Sequence, residues 1–375
     1  MLEKLMLNKN LKHSKFAIIA PNKPALSETF IQAHLEYLEP DYFFYGGSIP
    51  LFCNEKSIQP FWLRGLRRMV GEIKNRPNWH DLVAFRNKLK REKVNVILVE
   101  YGTLGASIAN VCKDLEIQLV VHFHGIDATK KADSSGYEKM FQVATTIIAV
   151  SNTMKEDLIG LGCPTEKIVV NPCGPNPVFE QVNTNYEKQN IIALGRFVNK
   201  KAPYYLVLAF KKISKKFPDA RLTMVGDGPL KEVCTNLIQY LKLNDKIQLV
   251  GARNKEEIIK YFNESSIFIQ HSIESEDGDK EGSPVAVMEA GLAALPIIST
   301  RHAGINETVV DNITGFLVDE HDVDTFAEKL EELLTSGEMR KEMGMKGRQH
   351  VKNHFSMENH ISILNQIILQ AIKNG

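Results

Sequence analysis

No Gly-x-Gly-x-x-Gly follows the first strand-like run of either half of this chain, which disfavours a dinucleotide-dependent dehydrogenase. Cysteine is scarce: five in 375 residues (Cys53, Cys112, Cys163, Cys173, Cys234), with no Cys-x-x-Cys pair and no metal-ligand spacing to histidine. That usage fits reduced thiols in a cytosolic protein. No apolar run approaches the ~20 residues of a membrane span, and the opening MLEKLMLNKNLKHSK is too charged for a signal peptide. The formal net charge of +1 creates no global field that would attract nucleic acid. Acidic clusters at metal-ligand spacing, short-period repeats and low-complexity tracts are also missing. What remains is a chain 43% hydrophobic and 24% charged, expected in the cytoplasm. Its length suits about two or three domains.

What the chain does have is a repeated alternation of short apolar runs and helical patterns. In the first half Phe16–Ala20, Tyr42–Tyr45, Val94–Val99, Leu119–Val121, Thr146–Val150 and Ile168–Val170 read as strands. In the second half Ile191–Leu194, Arg221–Val225, Ile247–Val250, Ile267–Ile269, Leu295–Ile298 and Phe316–Val318 do the same. Strands alternating with helices predict an α/β fold with a parallel, doubly wound sheet. Asn176–Gln189 is polar and lacks periodicity, so it reads as the linker between the halves. Ligands of such sheets bind past the carboxyl ends of the strands, which directs attention to the residues after each run.

The most informative stretch is Glu274–Glu307, which reads as loop, helix, buried strand, loop. Asp277 to Gly282 is charged and broken by glycine. Ser283 is a suitable N-cap and Pro284 suits the first helical turn, so a helix is expected to begin here. The amides of Val285 and Ala286 would then point out of the helix end, where the dipole favours an anion such as a nucleotide diphosphate. Glu281 and Glu289 bracket the helix start with seven residues between them. Beside an anion site Glu281 would sooner meet sugar hydroxyls, and Glu289 the two hydroxyls of a ribose. Both would equally serve as solvated surface charges.

Glu281-Gly282-Ser283-Pro284-Val285, Glu289-Ala290, Leu295-Pro296, Ser299-Thr300 and Gly304 to Glu307 together resemble the signature of retaining glycosyltransferases of family 4. Gly278-Asp279 and Thr300-Arg301-His302-Ala303-Gly304-Ile305 are similar to the branch that builds bacterial surface polysaccharides. The resemblance implies the GT-B architecture, two Rossmann-like domains with a nucleotide sugar in the cleft between them. It places an acceptor-binding domain at 1–178, a donor domain at 179–353 and a helix at 354–375 that crosses back to the first domain. It further implies transfer of a hexose to a carbohydrate or lipid-linked acceptor by front-face attack, with no covalent carboxylate intermediate. No cofactor and no metal are expected, since Arg and Lys replace the divalent ion.

Individual roles follow from the same resemblance. In His122-Phe123-His124-Gly125-Ile126-Asp127, His124 takes the role of the histidine that faces the sugar, with Glu281 as its counterpart. His122 is a reserve candidate on the same strand face. Asp127 would orient the ring or bind an acceptor hydroxyl. Gly195-Arg196 and Lys200-Lys201 match a Gly-Arg … Lys-Gly pattern, with Ala202 in place of the second glycine. Arg196 and Lys201 would neutralise the diphosphate, whereas Lys200 reads as a solvated residue. Gly226-Asp227-Gly228-Pro229 is the turn near the base, and Gly282, Ser283, Pro284 and Val285 line the phosphates. Where the family often has a glycine-rich loop after the first strand, this chain has Ser27-Glu28-Thr29, read either as helix capping or as an acceptor or phosphate contact. Cys173-Gly174-Pro175-Asn176 replaces the usual Gly-Val-Asp, so no role carries over to that aspartate.

The stretch 61–93 is the least family-like, with ten Lys and Arg against Glu72, Asp81 and Glu92. It reads either as a helix with a solvated basic face or as a contact to an anionic membrane surface, on the inner face of the cytoplasmic membrane. Two further alternatives stay open: an epimerase or phosphorylase on the same architecture, and a non-catalytic carbohydrate-binding subunit. The identity of sugar, base, acceptor and linkage is not encoded in any of these motifs.

Overall fold

The apolar runs become strands with both faces covered. Ala17, Ile18 and Ile19 are all fully buried, as are Ile97, Leu98 and Val99. Such unbroken burial belongs to parallel sheets clad by helices on each side. The computed structural model describes residues 14–24, 28–59, 79–129 and 134–374. The chain divides into two compact units, one of Met1–Asn171 with His360–Gly375 and the other of Pro172–Asn359. Among the described residues no helix is long and apolar enough to cross a membrane.

The first unit begins with β1 (Lys15–Ile19), α1 (Thr29–Leu38), β2 (Tyr42–Tyr45), β3 (Phe52–Cys53) and β4 (Lys56–Ser57). It continues with α2 (Trp79–Glu92), β5 (Val94–Glu100), α3 (Gly102–Asp114), β6 (Gln118–His122), α4 (Tyr137–Val143), β7 (Thr146–Ala149), α5 (Asn152–Gly160) and β8 (Ile168–Val170). The sheet order is β4-β3-β2-β1-β5-β6-β7-β8. From β2 to β8 every pairing is parallel, while β3 and β4 add an antiparallel edge. Two-residue strands are too short to show a pattern, so sequence periodicity does not register that edge. The order reverses between β1 and β5, and the loops after β1, β5 and β6 open at or beside that point.

The second unit contains β9 (Asn190–Leu194), α6 (Pro203–Ile213), β10 (Arg221–Val225), α7 (Lys231–Tyr240), β11 (Ile247–Gly251), α8 (Lys255–Glu264) and β12 (Ile267–Ile269). After these come α9 (Val285–Leu292), β13 (Ile297–Thr300), α10 (Ile305–Thr308), β14 (Gly315–Val318), α11 (Val323–Thr335) and α12 (Gly337–His354). A last helix, α13 (Met357–Asn374), passes into the first unit at His360. The sheet is parallel throughout, in the order β11-β10-β9-β12-β13-β14, which is the Rossmann order. Alternate strand positions (Ile191, Ala193, Leu222, Met224, Ile267, Ile269) join Leu206 and Phe210 of α6 and Phe326 and Leu330 of α11 in one core. Each large side chain so buried stabilises by roughly 1.5–3 kcal/mol.

The change-over at Asn171–Pro172 precedes the stretch read as linker. Asn176–Gln189 is instead anchored in the second unit. Asn176 Oδ1 accepts from the Val178 amide at 3.1 Å and opens a 3-10 turn, Pro177–Gln181. Phe179 is buried there, its ring edge-on to Phe262 at 5.0 Å. One apolar ring in a polar stretch suffices to pin it, and periodicity cannot show a single ring.

Gly344 lies inside α12, where glycine ordinarily costs about 1 kcal/mol relative to alanine. A Cβ on Gly344 would sit 2.0 Å from the Ala294 carbonyl oxygen, a backbone atom that cannot step aside. Gly344→Ala is therefore expected to destabilise by about 1–3 kcal/mol, against the propensity rule. Gly337→Ala, with nothing nearer than 3.4 Å, is expected to leave stability nearly unchanged. Denaturant unfolding of both variants checks this; equal midpoints would contradict it.

Candidate functional site

In the second unit the strand order reverses between β9 and β12, and the loops leaving them diverge. A recess forms there, lined by Gly195, Arg196, Phe197, Lys201, Met224 and Gln270 among others. Arg196 follows β9 directly and is exposed, with no acceptor for its guanidinium among the described residues. A 3-10 turn, Asn199–Lys201, then brings Lys201 back under the strand end. Gly226 and Gly228 hold the neighbouring turn against this segment. They adopt φ of +144° and +151°, and a Cβ on them would meet the Gly195 and Phe197 carbonyl oxygens at 1.9 and 2.6 Å. Their contribution is to permit that close approach of backbone.

Glu281 lies near the end of the loop that leaves β12 and is 5% exposed. Its Oε2 accepts from Lys201 Nζ at 2.8 Å, while Oε1 has no hydrogen-bond donor among the described residues. Burial alone would raise the pKa of Glu281, but Lys201 and Lys200 overcome it and hold the carboxyl at about 2. The pKa of Lys201 is pushed downward by burial, and Glu281 opposes that shift. Lys200 departs from its reading as a solvated residue. It is largely buried, with Nζ 2.9 Å from Asp279 Oδ1 and 3.8 Å from Glu281 Oε1. The loop after β12 folds back onto it through Asp279 and the Lys280 carbonyl, a contact that sequence spacing alone does not reveal.

His302 belongs to the motif without a role legible in the sequence, and its geometry supplies one. The Glu281 amide donates to His302 Nε2 at 3.1 Å, and His302 Nδ1 lies 2.6 Å from Glu320 Oε1. An Nε2 that accepts leaves the proton on Nδ1, which therefore donates to Glu320. Glu320 Oε2 in turn accepts the Glu274 amide at 3.0 Å, so one carboxylate ties the beginning of the loop to its end. The Gly304 amide completes the hold by donating to the Glu281 carbonyl at 3.1 Å.

The helix start differs from expectation. α9 begins at Val285, with Pro284 in the capping position and no side-chain cap. Ser283 Oγ accepts instead from the Cys173 amide at 3.1 Å, which removes it from the helix end. The Val285 amide turns back to the Ser283 carbonyl at 2.9 Å, so it is not one of the outward donors. Ala286 keeps that property: no backbone carbonyl among the described residues accepts from it. Gly282 sits between Glu281 and this turn.

Glu289 is 7% exposed, so the surface-charge alternative fails for it as for Glu281. Unlike Glu281 it forms no ion pair with a lysine among the described residues. Burial raises its pKa to about 8, opposed by an amide hydrogen bond from Asn176 and the field of Lys255. Between about 4.5 and 8 the unfolded chain has released a proton that the folded chain retains. Stability therefore falls as pH rises through that window, by up to about 1.4 kcal/mol per pH unit. Glu289→Gln, a neutral mimic of the protonated acid, is expected to flatten that slope. Parallel melting-temperature curves for wild type and variant would refute the assignment.

In the first unit the loops at the reversal carry the acceptor-side candidates. Ser27 lies outside the described residues. Glu28 occupies the capping position of α1 without a side-chain cap, and its Oε1 accepts from Tyr101 Oη at 3.1 Å. Thr29 is the first residue of α1. Asp127 neither orients a ring nor offers an oxygen to an acceptor. It is 2% exposed, and its two oxygens accept from the amides of Gly102, His124 and Gly125 at 2.9, 3.1 and 2.9 Å. An aspartate next to a glycine turn finds local amides first. His122 ends β6 and His124 lies beyond it, yet their rings remain 4.2 Å apart. Only the His124 ring keeps part of its surface at the strand end. Glu100, at the end of β5 and absent from the motif-based candidates, accepts from His124 Nε2 at 2.8 Å.

Comparison with known proteins bears on the family and the fold. A model described as glycosyl transferases group 1 matches residues 176–350, and one described as Glycosyltransferase Family 4 matches residues 49–178. The chain is 31% identical over 245 residues to the amylovoran biosynthesis glycosyltransferase AmsK of Erwinia amylovora, covering 62% of this chain and 60% of that protein. It is 28% identical over 230 residues to the capsular polysaccharide biosynthesis glycosyltransferase CapM of Staphylococcus aureus, covering 57% and 59%. The match thus spans about three-fifths of the length of either relative. A galactosyltransferase of Escherichia coli acting on a GlcNAc-diphosphoundecaprenol matches over 359 residues at 25% identity, covering 87% and 90%. Among solved structures, Anabaena Alr3699/HepE with UDP superposes at a TM-score of 0.74 with 15% identity, covering 96% of this chain and all of that one. A glycosyltransferase of Rickettsia africae does so at 0.74 with 20% identity, covering 97% and 100%. At such identities the superpositions establish a common fold, and with two family models running from residue 49 to 350, the chain belongs to the family 4 glycosyltransferases of GT-B architecture.

Proposed function

We propose that this chain transfers a hexose, with retention, from a nucleoside diphosphate sugar to a saccharide or lipid-linked saccharide in cell-surface polysaccharide assembly. The observation that carries the reading is Glu281. It is a buried, ionised carboxylate with one oxygen on Lys201 and the other without a donor among the described residues, beside a recess at a strand-order reversal. An oxygen so placed accepts from a sugar hydroxyl, while Arg196 and Lys201 offer charge to a diphosphate. The names AmsK and CapM support polysaccharide assembly, the diphosphoundecaprenol of the galactosyltransferase supports a lipid-linked acceptor, and UDP or UDP-glucose in the Anabaena protein supports the donor class.

In the proposed reaction the bond from the sugar C1 to the diphosphate oxygen breaks and the acceptor oxygen bonds to C1 on the same face. The acceptor proton passes to the departing diphosphate. Arg196, Lys201 and the Ala286 amide stabilise the charge on that leaving group, in the role a metal ion plays elsewhere. Gly282 to Val285 shape the phosphate side, and Glu289 is assigned to the ribose. His124 is the residue of the first unit assigned to the transferred sugar. We keep with this reading a contact of the basic 61–93 stretch with an anionic membrane surface. Residues 61–78 lie outside the described residues, and sedimentation with anionic vesicles at low salt decides that contact.

The reading is tested with a panel of UDP-, GDP- and ADP-sugars. A donor at 100 times its Kd is expected to stabilise the fold by about 2.7 kcal/mol, seen as a raised melting temperature. With that donor, Lys201→Ala and Glu281→Ala should lose on the order of 10²–10³-fold in turnover while circular dichroism stays native. Release of nucleoside diphosphate should require acceptor. Wild-type turnover in both variants would overturn the site.

A further inference from the structure

The first unit buries four histidines around one carboxylate. They come from five separate places: His34 in α1, Glu100 at the end of β5, His122 at the end of β6, His124 just after it, and His360 in α13. Glu100 and His34 are both fully buried, and no lysine or arginine pairs with Glu100 among the described residues. We propose that Glu100 is a positioning residue: it locks the ring of His124 in the tautomer with the proton on Nε2, and it is tied through His34 to His360 of the last helix. The proposal rests on the assignment of His124 to the transferred sugar.

The proton placement follows from what each atom can do. Glu100 Oε1 lies 2.7 Å from His34 Nδ1, and Oε2 lies 2.8 Å from His124 Nε2. Those are lengths of charge-assisted hydrogen bonds, and an ionised carboxylate only accepts. Both facing nitrogens must therefore carry protons. With Nε2–H given to Glu100 and no acceptor facing Nδ1 among the described residues, the geometry favours the neutral ring with Nδ1 bare, and burial works in the same direction by lowering the His124 pKa. That leaves Nδ1 as an acceptor, suited to a hydroxyl. The ring cannot swing to exchange its nitrogens, because Phe30 stacks on it at 4.1 Å and Tyr101 meets it edge-on at 5.0 Å. Its backbone is fixed by Asp127. Tyr101 holds a left-handed φ of +81°, a strained conformation for a tyrosine, with its amide on the His122 carbonyl at 2.8 Å. On the far side of Glu100, His34 Nε2 is 2.8 Å from His360 Nε2, so one of these two rings donates to the other. The last helix thus reaches His124 through three hydrogen bonds.

Glu100→Gln tests this with little change of shape. The amide has one accepting oxygen and one donating nitrogen, so it can satisfy only one of the two facing N–H groups, and the other ring must change tautomer. Long-range ¹⁵N–¹H correlation spectra of the full chain report the tautomer of each histidine, with His124 assigned by its loss in His124→Phe. The expected wild-type pattern for His124 is neutral with Nε2–H. Glu100→Gln should alter the His34 or His124 pattern while leaving His271 and His321 as they are. Turnover with an active donor should fall on the order of 10²-fold. A wild-type His124 that is charged or carries its proton on Nδ1 overturns the proposal, as does an unchanged spectrum in Glu100→Gln. Stoichiometric metal found by elemental analysis also overturns it, since His34, Glu100 and His122 lie close enough to hold an ion. The wild-type spectrum alone decides the tautomer, so the outcome stands even if the variant does not fold. It stands equally if no sugar donor is turned over, a result that would count against the transferase reading alone.

Discussion

A carboxylate removed from water must be given a cation, a set of donors or a proton, and the candidate sites of this chain depend on how that demand is met. Three buried glutamates answer it in three ways. Glu281 is matched by lysine and stays ionised. Glu100 is matched by imidazole N–H groups and also stays ionised, well below the ordinary range, although burial pulls the other way. Glu289 has neither partner and keeps its proton into the neutral range. The same side chain is therefore a charged acceptor at two places and a neutral acid at the third. Only an ionised Glu281 can both anchor Lys201 and accept a hydroxyl.

The placement of these groups follows from topology. Apart from the antiparallel edge of β3 and β4, each sheet is parallel and each changes direction once, between β1 and β5 and between β9 and β12. At such a reversal, successive crossover helices leave to opposite faces and the loops separate, which opens space at the carboxyl ends. Glu28, Glu100, Tyr101 and His124 occupy that position in the first unit. Arg196, Lys201 and Glu281 occupy it in the second.

The alternation of runs reads directly as two parallel α/β sheets because fully buried strands must be apolar at every position. The motif around Glu281 is legible because its residues are close in sequence. What escapes is whatever depends on partners that the fold brings together. Glu100 meets His34 from 66 residues away, and His34 meets His360 from 326 residues away, so no local spacing links them. His302 stood inside a recognised motif, but its use depends on Glu320, which the next strand delivers. Ser283 shows the opposite failure. Its sequence position is that of an N-cap, yet a backbone amide from Cys173 claims its hydroxyl first. Asp127 is claimed in the same way by three amides, so a residue type suited to ligand contact becomes a clasp for its own loop.

The doubled lysine has a physical reason on the proposed reading. Lys201 is already paired with Glu281, and a diphosphate beside it competes for the same ammonium. If Lys201 were the only cation near Glu281, the shift toward phosphate would strand a buried carboxylate, a loss of several kcal/mol. Lys200 prevents that: its ammonium lies 3.8 Å from Glu281 Oε1 and is anchored by Asp279 at 2.9 Å, so it remains when Lys201 moves. Lys200 and Lys201 are both paired within the site, whereas Arg196 has no acceptor among the described residues and is open to an anionic donor. On that reading a sugar hydroxyl at the open Oε1 gives Glu281 a donor as Lys201 turns toward phosphate. Arrival of the sugar and the turn of Lys201 toward phosphate are coupled on the same reading, with the Lys200 ammonium left beside the Glu281 carboxylate.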